Sequence, residues 1–300
     1  MKTIFFILVL LKGFTLFANE VEVPVGSATL FCRTMGEGDP LIVIHGGGAL
    51  NLDYLLPHME RLAKGNLVIF YDQRGCGRSA KDLDLELVTI ESFVEDLESV
   101  RKAFGFEKVS ILGHSWGALL AMQYAIAHPE SIEKLILSNT MPASSEELLS
   151  SSAERQKRLA RYQEEKKQVE EIEEFKRGDP EAIEKLYRAF FLGYCYDPAI
   201  VNLLNLRMTP EAFFNGSKVY FALRAELLAE PYSLYGALES LRIPTLILYG
   251  DDDPLPPYVA ELIHRHIPNS KFVLLEKCGH FPYAEQPEIY FSLIEEFLKP

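Results

Sequence analysis

Val109-Ser110-Ile111-Leu112-Gly113-His114-Ser115-Trp116-Gly117-Ala118-Leu119-Leu120 reads as a short apolar strand, a turn with glycine on both sides of a serine, and an apolar helix. Gly113 to Gly117 fits G-x-S-x-G, the strand–turn–helix that presents a serine hydroxyl at the top of a parallel sheet. The turn is tight, and a side chain two residues before or after the serine collides with neighbouring backbone. The helix that follows aims its N-terminal amides at the point where negative charge develops when the serine attacks a carbonyl. Glycine and serine are common, so the motif gains meaning from its surroundings.

Upstream, Val21–Val25 and Ala28–Met35 flank Gly26-Ser27 and read as a hairpin. Leu41-Ile42-Val43-Ile44 is an apolar run suited to a strand covered on both faces. It ends in His45-Gly46-Gly47-Gly48, where glycines let backbone N–H groups approach a ligand. A helix is expected over Asn51–Lys64, then the strand Leu67–Tyr71. Asp72–Ser79 is too polar and glycine-rich for an element interior, and Asp72 with Arg74 and Arg78 is read as tying that loop down. Thr89 caps a helix to Phe104 with Phe93, Leu97, Val100 and Phe104 on one face. Strand and helix keep alternating through Leu135–Leu137, which means α/β: a mostly parallel sheet with helices on both faces. Ligands in such sheets sit beyond the C-terminal ends of the strands, where His45 and Ser115 both lie.

From Met141 the composition changes, and residues 141–240 read as a helical insertion acting as a lid over a core of 19–140 and 241–300. Ala153–Arg177 is dense in charge and is expected to be a solvated helix. Asp179-Pro180-Glu181 and Thr209-Pro210-Glu211 each place a cap residue before a first-turn proline. The sheet resumes with Pro244–Tyr249, which stops at Asp251-Asp252-Asp253-Pro254, and with Phe272–Leu275, which is followed by Cys278-Gly279-His280. His280 is the candidate base and Asp253 the acid that orients it, with Asp251 and Asp252 as the alternatives. The chain order Ser115, Asp253, His280 is the one that accompanies a G-x-S-x-G serine in this kind of sheet. A serine hydroxyl is a poor nucleophile at neutral pH and needs a base held in the right tautomer. The amides of Gly47 and Trp116 are assigned to the oxyanion.

The net charge of −13 argues against nucleic acid as the main partner. The four cysteines, Cys32, Cys76, Cys195 and Cys278, have neither metal-ligand spacing nor the density of a disulfide scaffold. No metal or other cofactor is expected. Lys2, the apolar run Ile4–Leu11 and Leu16-Phe17-Ala18 resemble an export signal covering residues 1–18, with cleavage before Asn19. The expected location is therefore periplasmic or secreted, without stable membrane insertion after cleavage, with a cytoplasmic location as the alternative.

Together these residues resemble the α/β-hydrolase superfamily over nearly the whole chain outside the signal and the insertion. Within it, His45-Gly46-Gly47, Tyr71–Ser79 and Gly113–Gly117 look like proline iminopeptidases. That resemblance implies a cofactor-free serine peptidase with a helical cap, removing N-terminal proline from peptides, with Ser115, Asp253 and His280 as its triad. The family's first loop commonly reads His-Gly-Gly-Pro-Gly, whereas this chain has Gly48-Ala49 in the last two places. The family also holds the substrate ammonium with acidic groups, and Glu226 is taken for that role. Two other functions fit the sequence: a carboxylesterase or lactonase with the same triad, acting on small esters, and a non-catalytic binding protein on the same fold.

Overall fold

The computed structural model describes residues 18–47, 49–81 and 83–299. The expected export signal, apart from Ala18, lies outside the described residues. Eight strands form one sheet: β1 (Asn19–Val25), β2 (Ala28–Met35), β3 (Asp39–Ile44), β4 (Asn66–Tyr71), β5 (Val109–His114), β6 (Ile132–Ser138), β7 (Thr245–Gly250) and β8 (Ser270–Leu275). Their order is β1-β2-β4-β3-β5-β6-β7-β8. The hairpin β1–β2 and the β2–β4 pair are antiparallel, and β4, β3 and β5 to β8 run parallel. The apolar strands lie where such runs must lie: every residue of β5 and β7 is buried, as are Leu41–Ile44 of β3.

Helix α1 (Ile90–Ala103) starts where Thr89 Oγ1 accepts the Ser92 N–H at 3.1 Å, and it buries Phe93, Leu97 and Val100. Helix α2 (Trp116–Ala127) follows β5 and is buried along most of its length, including Leu119, Leu120 and Met122. The expected helix over Asn51–Lys64 is a correction: the chain forms two 3₁₀ turns, Leu52–Leu55 and His58–Ala63. Pro57 separates them. It lacks an N–H and cannot continue a helical hydrogen-bond ladder, and Leu56 before it is extended, at φ −94°, ψ 147°.

The elements described between β6 and β7 are helical, and they cover the C-terminal side of the sheet. The two ends of this cap are stapled together, with Tyr232 N–H donating to Ser145 Oγ at 2.8 Å and Leu234 N–H to Ala143 O at 2.9 Å. The charged stretch departs from the single solvated helix expected. It breaks into helices Ser145–Leu159, Gln163–Glu171 and Glu173–Lys176, and one of its faces, with Arg155, Leu159, Lys166 and Glu170, turns toward a cavity. The caps at Asp179 and Thr209 form as expected, starting helices Pro180–Phe191 and Pro210–Ala229.

Asp72 ties its loop down as read. Its carboxylate accepts from the N–H groups of Leu52 and Arg78, each at 2.8 Å, and from the Arg78 guanidinium at 3.1 Å. Arg74 instead makes a bidentate pair with Asp96 on α1 at 2.9 and 2.5 Å, which joins the loop to the helix layer.

Glycines differ in what they tolerate. A Cβ on Gly117 would lie 2.4 Å from Ile44 O and 2.6 Å from His45 O, both rigid backbone atoms. One on Gly236 would meet nothing within 4 Å. Gly117→Ala is therefore expected to destabilise by about 3 kcal/mol or more through backbone displacement, while Gly236→Ala gains a few tenths from helix propensity. Urea unfolding of the two variants measures the difference.

Candidate active site

Ser115 sits between β5 and α2 at φ 58°, ψ −119°, a conformation that L-residues avoid. The glycines make that turn possible. A Cβ on Gly113 would fall 2.3 Å from Gly117 O, and one on Gly46 would fall 2.8 Å from Ser115 Cβ. The first loop and the serine turn therefore touch. Ser115 is partly exposed, into a cavity of about 590 Å³ between sheet and cap that Gly47, Trp116 and His280 also line. Trp116 is the first residue of α2, so its N–H has no intrahelical acceptor.

The three acids after β7 do three different things. Asp251 accepts the Cys278 N–H at 3.1 Å, and Asp252 pairs with Arg158 of the cap at 2.7 Å. Asp253, buried, has its Oδ2 2.6 Å from His280 Nδ1. A carboxylate at this pair accepts, so Nδ1 carries the proton and Nε2 keeps its lone pair. Asp253 Oδ2 also accepts from Asn139 Nδ2 at 2.6 Å, and Oδ1 from the Leu255 N–H at 2.8 Å. Asn139 follows β6 at φ 46°, a conformation asparagine tolerates better than most residues, and it also donates to Gly279 O at 3.0 Å.

Two buried chains of hydrogen bonds hold the loops against one another. In the first, His45 Nε2 accepts the Gln73 N–H at 3.0 Å, so Nδ1–H donates to Gly46 O at 2.9 Å. The Gln73 side chain donates to His45 O at 2.6 Å and accepts from Trp116 Nε1 at 2.9 Å. In the second, His114 Nε2 lies 2.7 Å from His280 O and must donate to it. His114 Nδ1 then accepts from Tyr54 O–H at 2.6 Å, and Tyr54 in turn accepts the Gly46 N–H at 2.7 Å. The sequence assigns His114 no role beyond its place in the motif. Its position as the first x of the motif, following a buried strand, was the available signal. Gln73, Tyr54 and Asn139 carried none, because each reaches the site across the fold.

The cap docks on the same loop. His280 N–H donates to Tyr194 O at 2.7 Å, and Glu285 accepts the N–H groups of Tyr196, Gly279 and Phe281 at 2.7, 3.0 and 3.1 Å. Glu226 is a correction. It is exposed, outside the cavity lining, and its Oε2 accepts the Ile90 N–H at 2.9 Å at the start of α1. The positive end of a core helix, rather than a substrate ammonium, holds that carboxylate. Among the described residues, Glu170 is the carboxylate that lines the cavity.

The α/β hydrolase fold family model matches residues 39–287. The chain belongs to that family. A proline iminopeptidase of Heyndrickxia coagulans is 32% identical over 88% of this chain and 91% of its own length. One from Lactobacillus helveticus is 31% identical over 93% and 97%. The solved proline iminopeptidase of Mycobacterium smegmatis is 24% identical and shares the fold at a TM-score of 0.69, covering 93% of this chain and 97% of that one. This α/β hydrolase thus resembles proline iminopeptidases across its core and its cap.

Burial holds both His45 and His114 neutral, with pKa values below the usual 6.5, and the neighbouring His280 adds to the effect at His114. The unfolded chain therefore takes up protons below pH 6.5 that the folded hydrolase refuses, and stability falls as pH drops through that value. Each histidine steepens the fall by up to about 1.4 kcal/mol per pH unit. Urea unfolding at several pH values should show a shallower acid decline for His114→Gln than for the wild type.

Proposed function

We propose that this hydrolase is a serine hydrolase that works through an acyl-enzyme on Ser115 and releases the N-terminal residue of short peptides. The observation that carries the reading is the buried His280–Asp253 pair at 2.6 Å, on the wall of the cavity that Ser115 enters. His280 Nε2 takes the Ser115 proton as Oγ adds to the substrate carbonyl. The oxyanion forms beside the amides of Gly47 and Trp116, where each donor contributes about 3–4 kcal/mol to transition-state stabilisation. The imidazolium, stabilised by Asp253, returns the proton to the departing amine, and water then repeats the sequence to free the acid.

The relatives' name supports a peptidase that acts at N-terminal proline. Such a substrate brings a free ammonium into an apolar cavity and needs a counter-charge. Glu170 can supply it. Its present partner is Lys166 at 3.1 Å, one turn away on the same helix, and an exposed pair of this kind holds by only about 0.3–0.5 kcal/mol. A second reading, a carboxylesterase acting on small acyl esters, is favoured by that same pairing and by walls built largely from aromatic side chains such as Tyr187, Phe190 and Phe213.

Aminoacyl-arylamides and short aryl esters separate the two. The peptidase reading expects proline arylamide to be cleaved and its N-acetyl derivative to be refused. Glu170→Gln should raise KM for the arylamide more than for a neutral ester. If acetylated amide and simple esters react as well as the free amine, the esterase reading replaces it. In either case Asp253→Asn should lower kcat by about 10⁴-fold, as the wrong histidine tautomer does in well-studied triads. The same loss in Asp251→Asn or Asp252→Asn would contradict the assignment of the acid.

A further inference from the structure

The chain carries a large negative charge, yet the cavity above Ser115 does not. Its charged lining among the described residues, apart from the histidines, is Arg155, Lys166, Glu170 and Arg224. Lys166 and Glu170 neutralise each other. Arg155 and Arg224 are both half-buried, and neither has an ion pair or hydrogen bond to another described residue. Other arginines of the cap are treated differently. Arg158 has Asp252 at 2.7 Å and Arg188 has Glu184 at 2.6 Å, each with backbone carbonyls besides. A guanidinium turned into an apolar cavity without a counter-ion is costly unless a ligand supplies the anion.

Both arginines line the same cavity as the base, His280. Burial raises the Tyr194 hydroxyl to about 12, and the charge of Arg155 opposes that rise, so the guanidinium is close enough to act on this side chain. The Tyr194 ring packs edge-on against His280 at 5.3 Å. Tyr220 also acts on Tyr194, and it precedes Arg224 by one turn on the Pro210–Ala229 helix. The two cations thus enter the cavity from different cap helices, Ser145–Leu159 and Pro210–Ala229.

We propose that Arg155 and Arg224 form an anion subsite and that the substrate carries a carboxylate beside the bond that is cleaved. The inference rests on Ser115 being the nucleophile. The carboxylate itself undergoes no chemistry. Ser115 Oγ still bonds to the acyl carbon, the bond to the leaving amine or alcohol breaks, and that group leaves with the proton from His280. A carboxylate can come from the free C-terminus of a short peptide or from an acid-bearing ester, and a guanidinium binds either in the same bidentate way.

The test compares matched probes on the purified full chain: Pro-Ala with Pro-Ala amide, and 4-acetoxybenzoate with its methyl ester. In each pair the main change is the loss of one negative charge. The wild type should prefer the charged member of at least one pair. In Arg155→Gln and Arg224→Gln the ratio of kcat/KM for charged over neutral probe should fall about 10- to 100-fold, the scale of a lost hydrogen bond to a charged group. Arg→Lys variants should recover part of it. The pair that responds identifies the source of the carboxylate. A ratio that stays constant in the arginine variants, a wild-type preference for the neutral members, or turnover of neither pair overturns the inference. Ser115→Ala keeps the two claims apart. Turnover that survives in that variant defeats the serine mechanism, while turnover lost there with a constant ratio in the arginine variants defeats only the anion subsite.

Discussion

The space between the β3 carbonyls and the start of α2 is the constraint on which the rest of the site depends. Ile44 O and His45 O stand where a Gly117 side chain would begin, and Gly117 O stands where a Gly113 side chain would begin. Such contact forces glycine at both positions, brings the His45–Gly47 loop against the serine turn and leaves Ser115 at φ 58°. Strain of this kind costs about 1–3 kcal/mol and persists only where the surroundings fix it. Here β5 and α2, both buried, supply that support.

Around this contact the loops from β3, β4, β5, β6, β7 and β8 are locked by buried hydrogen bonds that leave little freedom in where the protons sit. His280 O can only accept, so His114 must donate to it from Nε2 and receive from Tyr54 at Nδ1. The Gln73 N–H can only donate, which fixes His45 in the opposite tautomer. Satisfied networks at low dielectric rigidify a site, and one missing member leaves buried polar groups without partners. The cap is tied to this frame through Tyr194 O and Glu285, so its aromatic wall is held in register with the base rather than resting loosely above it.

Much of this was legible in the sequence because it is local. Apolar runs ending in glycine marked β3, β5 and β7, and side-chain caps at Thr89, Asp179 and Thr209 marked helix starts. What was not legible depends on contacts distant in the chain. Nothing in Asp251-Asp252-Asp253 tells which acid reaches His280 until Arg158 and the Cys278 amide take the other two. Glu226 was taken for the substrate ammonium, yet the N-terminus of α1, distant in the chain, claims its carboxylate. The charged helix pattern of Ala153–Arg177 hid a cavity-facing side, because period and charge show amphipathicity without showing what the faces meet. Over Asn51–Lys64, Pro57 was the local signal that should have outweighed helical spacing.

The central claim is that the strained turn, the base and the acid act together on one hydroxyl. Covalent labelling with a fluorophosphonate, read by peptide mass mapping of the wild type and of His280→Ala, tests it most directly. A single adduct on Ser115 in the wild type, formed far more slowly without His280, is the result this account predicts. Labelling at another residue, or an equal rate in the two proteins, contradicts it.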